Sequence, residues 1–310
     1  MSRTAAASFT LAGELDLAVH DFTPSGPARG HSVYLQGQLH ANESAAMLVL
    51  HEVVRALRAR PPANRVRVVP NANPVGWGRY LASGSTGDGR ISAGGTNWNR
   101  MFGDPRQRGG SADAVLASTL WELSHPYDVV IDVHTPEFGW PHLYAPSADR
   151  RLVTLDDIPH VLYGAPQPGP FDEAHLRLRA GQDSTVHVAV TLEIPSHEIP
   201  TAASVASWAD RLLDEIDAQA RQAQARGMPQ RWGTMADVIA PLSGAVALHC
   251  RPGQPLAAGA PILSIHGRKG EKETLHAPSH CIPICFRRAT VVEAGYWACR
   301  VIDLHSEPSK

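Results

Sequence analysis

Apolar and polar positions along this chain fall into two alternating rhythms. Short β-branched runs, "HSVYLQG" (31–37), "NRVRVVPNANP" (64–74) and "YDVVIDVHT" (127–135), close on turn or polar residues and predict strands. Between them, "ESAAMLVLHEVVRALRARP" (43–61) repeats apolar residues at helical spacing and stops at Pro61. A second helix, "SADAVLASTLWELSHP" (111–126), opens with Ser111 and Asp113 and ends at Pro126. "VHVAVTLEIPS" (186–196) is a later buried strand, and "SVASWADRLLDEIDAQARQAQARG" (204–227) a long amphipathic helix with Gly227 beyond it. Strands alternating with helices predict an α/β fold, a sheet covered by helices.

The rhythm changes near "MPQRWGTM". Beyond it come only short strands and turns, first in "VIAPLSGAVALHCRPGQPLAAGAPILSIHG" and again, more weakly, in "LHAPSHCIPICFRRATVVEAGYWACRVID". The chain therefore divides into a domain over 1–232 and a small all-β domain over 233–310 built from two similar halves. The echo resembles the biotinyl/lipoyl type of β-sandwich, a barrel-sandwich hybrid. Lys269 stands near the hairpin where such a scaffold carries its modified lysine, but Arg268, Glu271 and Lys272 around it describe a solvated turn.

Composition narrows the partners. Of 310 residues, 43% are hydrophobic and 19% charged, with a formal net charge of −2, so no basic stripe is available for nucleic acid or an anionic membrane. The N-terminus lacks a continuous apolar signal core, and no window approaches the roughly 18 apolar residues of a membrane helix. A cytoplasmic protein acting on a small molecule is expected, and a homo-oligomer is compatible with the sequence. Cys250, Cys281, Cys285 and Cys299 lack paired CxxC spacing and read as buried apolar residues in a reduced chain; a second metal site with His249 is the alternative.

Candidate chemistry begins at "QLHANES", where His40 and Glu43 stand three apart at the mouth of a helix and can reach one cation. On its own this spacing is common, since Glu43 could cap the helix and His40 lie at the surface. His134 ends an apolar strand, and in open α/β sheets functional groups gather at carboxyl ends of strands. Glu193 lies inside another apolar strand, where an unpaired charge costs on the order of several kcal/mol, so a cation, metal or water is expected beside it. The polar stretch "NPVGWGRYLASGSTGDGRISAGGTNWNRMFG" reads as a binding loop, with Asn99 and Arg100 able to clamp a carboxylate and Arg90 adding a second cation. Glu137 and His142 could line the site, as could His197 and Glu198, whereas His160, His175 and His187 have no partner spacing.

Together these segments resemble the zinc carboxypeptidase-like clan, and within it the succinylglutamate desuccinylase/aspartoacylase family. The order is "GQLHANES", "NANP", "NWNRMF", "DVHT", "TLEIPS", then the small β domain. The resemblance implies a mixed β-sheet flanked by helices and one Zn2+ per chain held by His40, Glu43 and His134. It further implies Glu193 as general base, Arg90 polarising the scissile carbonyl, and Asn99 with Arg100 binding a substrate carboxylate. Asn97 and Trp98 stand where the family often has Asp-Leu, and the family's further substrate-gripping arginine has no counterpart beyond Arg177 and Arg179 nearby. The implied activity is hydrolysis of a carbon–nitrogen amide bond in a small carboxylate-bearing substrate, as in an N-acyl amino acid deacylase. The rivals are a metallocarboxypeptidase acting on peptide C-termini and a non-catalytic zinc-binding module.

Overall fold

The computed structural model describes residues 3–11, 15–85, 87–103, 111–145, 155, 158, 160–163, 169–179, 188–195, 199–222, 231–287 and 291–304. Its strands are β1 (Arg3–Leu11), β2 (Leu15–Thr23), β3 (Val33–Gly37), β4 (Val66–Val69), β5 (Val129–His134), β6 (Phe138–Gly139), β7 (His142–Tyr144) and β8 (His160–Tyr163). They continue with β9 (Val188–Glu193), β10 (Arg231–Ile239), β11 (Gly244–Leu248), β12 (Pro261–Gly267), β13 (Lys272–His276), β14 (Cys281–Phe286), β15 (Val291–Val292) and β16 (Trp297–Asp303). The helices are α1 (Ser44–Ala59), α2 (Pro74–Ala82), α3 (Ala112–Ser124), α4 (Phe171–Arg179) and α5 (Ala202–Arg221), with a 3-10 turn at Trp98–Arg100.

Twelve of these strands form one mixed sheet in the order β1-β2-β4-β3-β5-β9-β7-β8-β10-β16-β14-β6. Its centre, β4-β3-β5-β9, is parallel, as crossovers through helices require. One face is apolar: Val33, Leu35, Val129, Ile131, Val133, Val190 and Leu192 pack on α1 and α5 through Val49, Leu50, Val53, Leu212 and Ile216. The opposite face is divided along the strands. Its amino-terminal half, with Tyr34, Val130 and Ala189, is covered by Leu116 and Leu120 of α3 and by Phe171 of α4. Its carboxyl-terminal half is left to polar side chains.

The expected α/β layering is present, and four features differ from the sequence-based expectation. The N-terminal hairpin β1–β2 extends the sheet beside β4. The segment after Pro74 is helical because Asn73 caps it, accepting from the Gly76 amide at 2.7 Å, and Pro74 is preset for the first turn. The short strands β6, β7 and β8 and the helix α4 lack the length or periodicity that reveals an element in sequence.

The fourth feature concerns the C-terminal segment, which is all β among its described residues. It forms a four-stranded sheet, β13-β12-β11-β15, but β10, β16 and β14 join the large sheet, β10 lying parallel to β8. Strands from before and after residue 232 thus share one hydrogen-bonded sheet. Lys269 falls in the β12–β13 turn, its amide donating to the Glu271 carboxylate at 2.9 Å. No helix among the described residues is long and apolar enough to cross a membrane.

Gly233 sits at the junction, opposite Leu162 of β8. A Cβ there would come within 2.3 Å of the Asp303 carbonyl and 2.4 Å of Ile302 Cγ2. Gly233→Ala is expected to lower stability by about 1–3 kcal/mol, read as a lower denaturant midpoint; an unchanged midpoint would contradict this close approach.

Candidate metal centre and catalytic pocket

Alternation along each strand builds the site, because residues paired across neighbouring strands share a face. Register pairs run Gln36–Asp132, His134–Glu193, Glu193–His142, Thr191–Tyr144 and Tyr144–Leu162. On the C-terminal strands Asp237 pairs with Arg300, and Arg300 with Cys285. Most of this row lines one cavity of about 500 Å³, together with His40, Glu43, Arg90, Asn99 and Arg100.

At its centre, three of the expected residues converge. His40, Glu43 and His134 are 8%, 3% and 2% exposed. Each offers a ligand atom within 4.8 Å of the others, a group that could hold a metal ion. Glu43 occupies the N-cap position of α1 but makes no side-chain cap bond. Instead its carboxylate lies 2.7 Å from His40 Nδ1 and 2.9 Å from His134 Nδ1, and accepts from the Thr135 amide at 3.2 Å.

The far nitrogens of both rings are also held. His40 Nε2 is 3.0 Å from Asn97 Oδ1, and His134 Nε2 is 2.8 Å from Asp132 Oδ2. With each Nε2–H donating to an oxygen, both Nδ1 atoms are turned to the Glu43 carboxylate, so that a cation placed between them would meet the Nδ1 lone pairs, the arrangement by which outer partners orient metal-ligating histidines. Asp132 is supported in turn by Gln36 Nε2 at 3.1 Å, and Gln36 by the Tyr34 hydroxyl at 2.9 Å. A donor set of two imidazoles and one carboxylate suits zinc with a coordination position left open.

Electrostatics fit such a centre. Burial opposes charge on His134, yet Asp132 and Glu43 on either side push its pKa well above the usual histidine value. Burial would raise Glu43, but His134 and His40 hold it well below the usual carboxylate range. Glu193, partly buried beside His134, is pushed to about 8, first by burial and then by Glu43 and Asp132, against His134 and Arg300. Its Oε2 is buried with no hydrogen-bond partner among the described residues. His142, drawn down to about 4 by burial, is neutral; its Nδ1–H donates to the Trp140 carbonyl at 2.7 Å, leaving Nε2 as a buried acceptor without a partner among the described residues.

The loop carrying the arginines is pinned to this corner. The Ala41 amide donates to the Gly89 carbonyl at 2.8 Å, and a Cβ on Gly89 would come within 2.6 Å of the Asn42 nitrogen. Arg90 bonds Asp88 through Nε at 3.1 Å and Nη2 at 3.2 Å, and Glu137 through Nη1. Asn99 Oδ1 accepts from the Phe171 amide at 2.9 Å, so its amide nitrogen remains as donor. Arg100 Nη1 donates to the Asn99 carbonyl at 2.7 Å. Its pKa is lowered, first by burial and then by the nearby charge of Arg300.

The cavity therefore gathers His40, Glu43, His134, Glu193, Arg90, Asn99 and Arg100, and with them Glu137 and His142. Arg177 is not among its lining residues: it donates to the Phe102 carbonyl at 2.9 Å and to the Gly103 carbonyl. His175 lies in the core with Nε2 2.9 Å from the Ser124 hydroxyl. His187, His197, Glu198 and the Arg179 side chain lie outside the described residues. Cys250, Cys281, Cys285 and Cys299 are free and buried, and His249 Nε2 meets the Ser264 hydroxyl at 2.6 Å.

Two members of the site escape a reading of the sequence. Asp132 stands two residues before His134 on the same strand face, and Arg300 is a lone cation in the apolar strand "WACRVID". The argument that singles out Glu193, a charge inside an apolar strand, would find both. Arg300 Nε donates to Asp237 at 2.9 Å, and burial notwithstanding, Tyr144 and Asp237 raise its pKa further.

An α/β domain with a His–Glu–His group at its strand ends and an Asn-Arg loop beside it defines the class. Residues 29–173 match the family model of the succinylglutamate desuccinylase/aspartoacylase catalytic domain, and over that stretch the chain is similar to that family. Among solved structures, a succinylglutamate desuccinylase/aspartoacylase family protein from Shewanella amazonensis superimposes with a TM-score of 0.79 at 22% identity, covering 97% of this chain and 98% of that one. Another, from Shewanella frigidimarina, gives 0.81 at 22% identity over 98% of each chain. The product-bound ectoine utilization protein EutE (DoeB) from Ruegeria pomeroyi gives 0.71 at 17%, covering 98% of this chain and 94% of that one. At these identities the likeness is one of fold, and it extends over the C-terminal strands as well. No curated protein matches the sequence.

Stability of the metal-free protein should carry the signature of Glu193. Its carboxyl keeps its proton in the folded state up to about pH 8, whereas the unfolded chain loses it near 4.5, so the folded state binds the extra proton between those values. Stability then falls as pH rises through that window. Glu193→Gln is expected to flatten this part of the melting-temperature profile measured in chelator; an unaltered slope would contradict the burial assigned to Glu193.

Proposed function

We propose that the chain is a zinc-dependent hydrolase that cleaves the amide bond of a small carboxylate-bearing substrate, an N-acyl amino acid deacylase. The observation that carries this reading is the pair of oriented imidazoles: Asn97 and Asp132 hold each Nε2, so that two Nδ1 atoms converge on the Glu43 carboxylate near Glu193, whose Oε2 has no partner among the described residues. A zinc ion bound there supplies Lewis acidity towards a water and a carbonyl.

The chain's own groups do the rest. Glu193 takes a proton from the attacking water and passes it to the leaving amine. Beside a dication its carboxylate ionises more readily than in the metal-free protein, which suits a base working near neutrality. Arg90 aims the two N–H groups not used by Asp88 and Glu137 at the oxygen where negative charge develops. Asn99 and Arg100 bind the substrate carboxylate, and Arg300 adds a second guanidinium from β16.

A cavity of about 500 Å³, walled by Cys285, Tyr296, Trp297 and Arg300 of the C-terminal segment, favours a small molecule over a polypeptide end. That is the support for a deacylase over a metallocarboxypeptidase. The test uses zinc-loaded protein on a panel of N-acyl amino acids, dipeptides and longer peptides. Turnover is expected on the first group, with Glu193→Gln retaining one zinc per chain and losing about 10²–10⁴-fold in kcat. Near-full activity of that variant would overturn the base assignment, and preference for longer peptides would favour the carboxypeptidase.

A further inference from the structure

His142 stands in the cavity wall and has no part in the chemistry assigned above. On β7 it pairs with Glu193 of β9, while Tyr144, on the same face of β7, pairs with Thr191, and all four line the cavity. The His142 ring is 1% exposed and packs edge-on against Tyr144, with centroids 5.0 Å apart.

The tautomer of this ring follows from one contact. Its Nδ1 lies 2.7 Å from the Trp140 carbonyl, an oxygen that can only accept, so Nδ1 carries the proton and Nε2 the lone pair. Among the described residues no carboxylate forms a salt bridge with the ring, and burial, His160 and Arg300 disfavour a second proton more than the Trp140 carbonyl favours it. A dication bound beside Glu193 offsets the charge which that carboxylate gains. Nearby donors are engaged elsewhere: Arg300 Nε gives to Asp237 at 2.9 Å, and the Tyr144 hydroxyl faces Met235 Sδ at 3.7 Å. Nε2 is thus a buried acceptor with no donor among the described residues, an unfavourable state that a bound N–H would relieve.

On the deacylase reading, on which this inference rests, the scissile group brings one donor, its amide N–H. Hydrolysis adds the water oxygen to the carbonyl carbon, breaks the C–N bond and carries the water proton through Glu193 to the nitrogen. For that transfer the nitrogen lone pair must face Glu193, which turns the N–H aside. We infer that His142 is a further catalytic residue: its Nε2 accepts the hydrogen bond of the scissile N–H and so turns the nitrogen lone pair to Glu193 as the C–N bond breaks. His142 exchanges no proton in this step. An ester carries oxygen in place of N–H, so two lone pairs would face each other, and the same contact selects for amides.

The test compares the two bonds. Zinc-loaded wild type, His142→Phe and His142→Gln are assayed for kcat/KM on N-acetyl L-amino acids and on the O-acetyl L-2-hydroxy acids of matching side chain, which differ only in N–H against oxygen. His142→Phe is expected to lower the amide-to-ester ratio about tenfold or more, and His142→Gln, whose side-chain oxygen accepts, to recover part of it. An unchanged ratio, whether both rates fall together or neither falls, would overturn the inference. Nitrogen-15 NMR of the histidine-labelled wild type, metal-free and zinc-loaded, gives a reading without turnover and decides alone if neither variant folds. His142 is expected to carry its proton on Nδ1 at neutral pH, with Nε2 bare; a proton on Nε2 would overturn the inference. Hydrolysis of dipeptides in place of N-acetyl amino acids would remove the deacylase reading and leave the inference to the same comparison made with depsipeptides; absence of hydrolysis in every series would overturn both.

Discussion

A buried carboxylate between two imidazoles is the interaction on which the rest depends. Glu43 is 3% exposed and cannot stay ionised there without partners, because desolvating a lone carboxylate costs several kcal/mol. His40, His134 and the Thr135 amide supply them. Their own positions follow from a second layer, Asn97 on one ring and Asp132, Gln36 and Tyr34 on the other. Loss of any outer member would free a ring to turn, and the convergence of donors would go with it.

The sheet makes this convergence possible. Alternation gives one face to the apolar packing of α1 and α5, so the other face at the strand ends is free to be polar. Because β10, β16 and β14 continue the same sheet past β8, the C-terminal strands deliver Met235, Arg300 and Cys285 to the wall of the same cavity. The cavity wall therefore combines residues far apart in the sequence. The cavity carries both signs of charge: Asp88 and Glu137 hold Arg90, and Arg300 adds a guanidinium near Arg100, where Asp172 and Glu173 also act.

Much of this architecture is legible in the amino-acid sequence, for identifiable reasons. The central strands and α1, α3 and α5 have long periodic patterns, and His40, Glu43, His134 and Glu193 stand at pattern breaks where a polar group is out of place. Asn97, a departure from the family pattern beside the Asn-Arg pair, proves to hold His40 Nε2 and the Asn99 amide. Other features are invisible in sequence because they depend on pairing between distant segments. Nothing local says that β10 runs beside β8, or that Glu137 meets Arg90 across 47 positions. Short elements such as β6 and β7 have no periodicity of their own; their neighbours define them.

The central claim is that the two Nδ1 atoms and the Glu43 carboxylate form one metal centre. X-ray absorption on protein loaded with a single equivalent of zinc tests it most directly, with His40→Ala and His134→Ala as controls. The account predicts one zinc per chain, bound by two imidazole nitrogens and carboxylate oxygen at about 2.0–2.2 Å, with one imidazole lost in each control. Sulfur in the coordination shell, or a spectrum unchanged by either substitution, would contradict it.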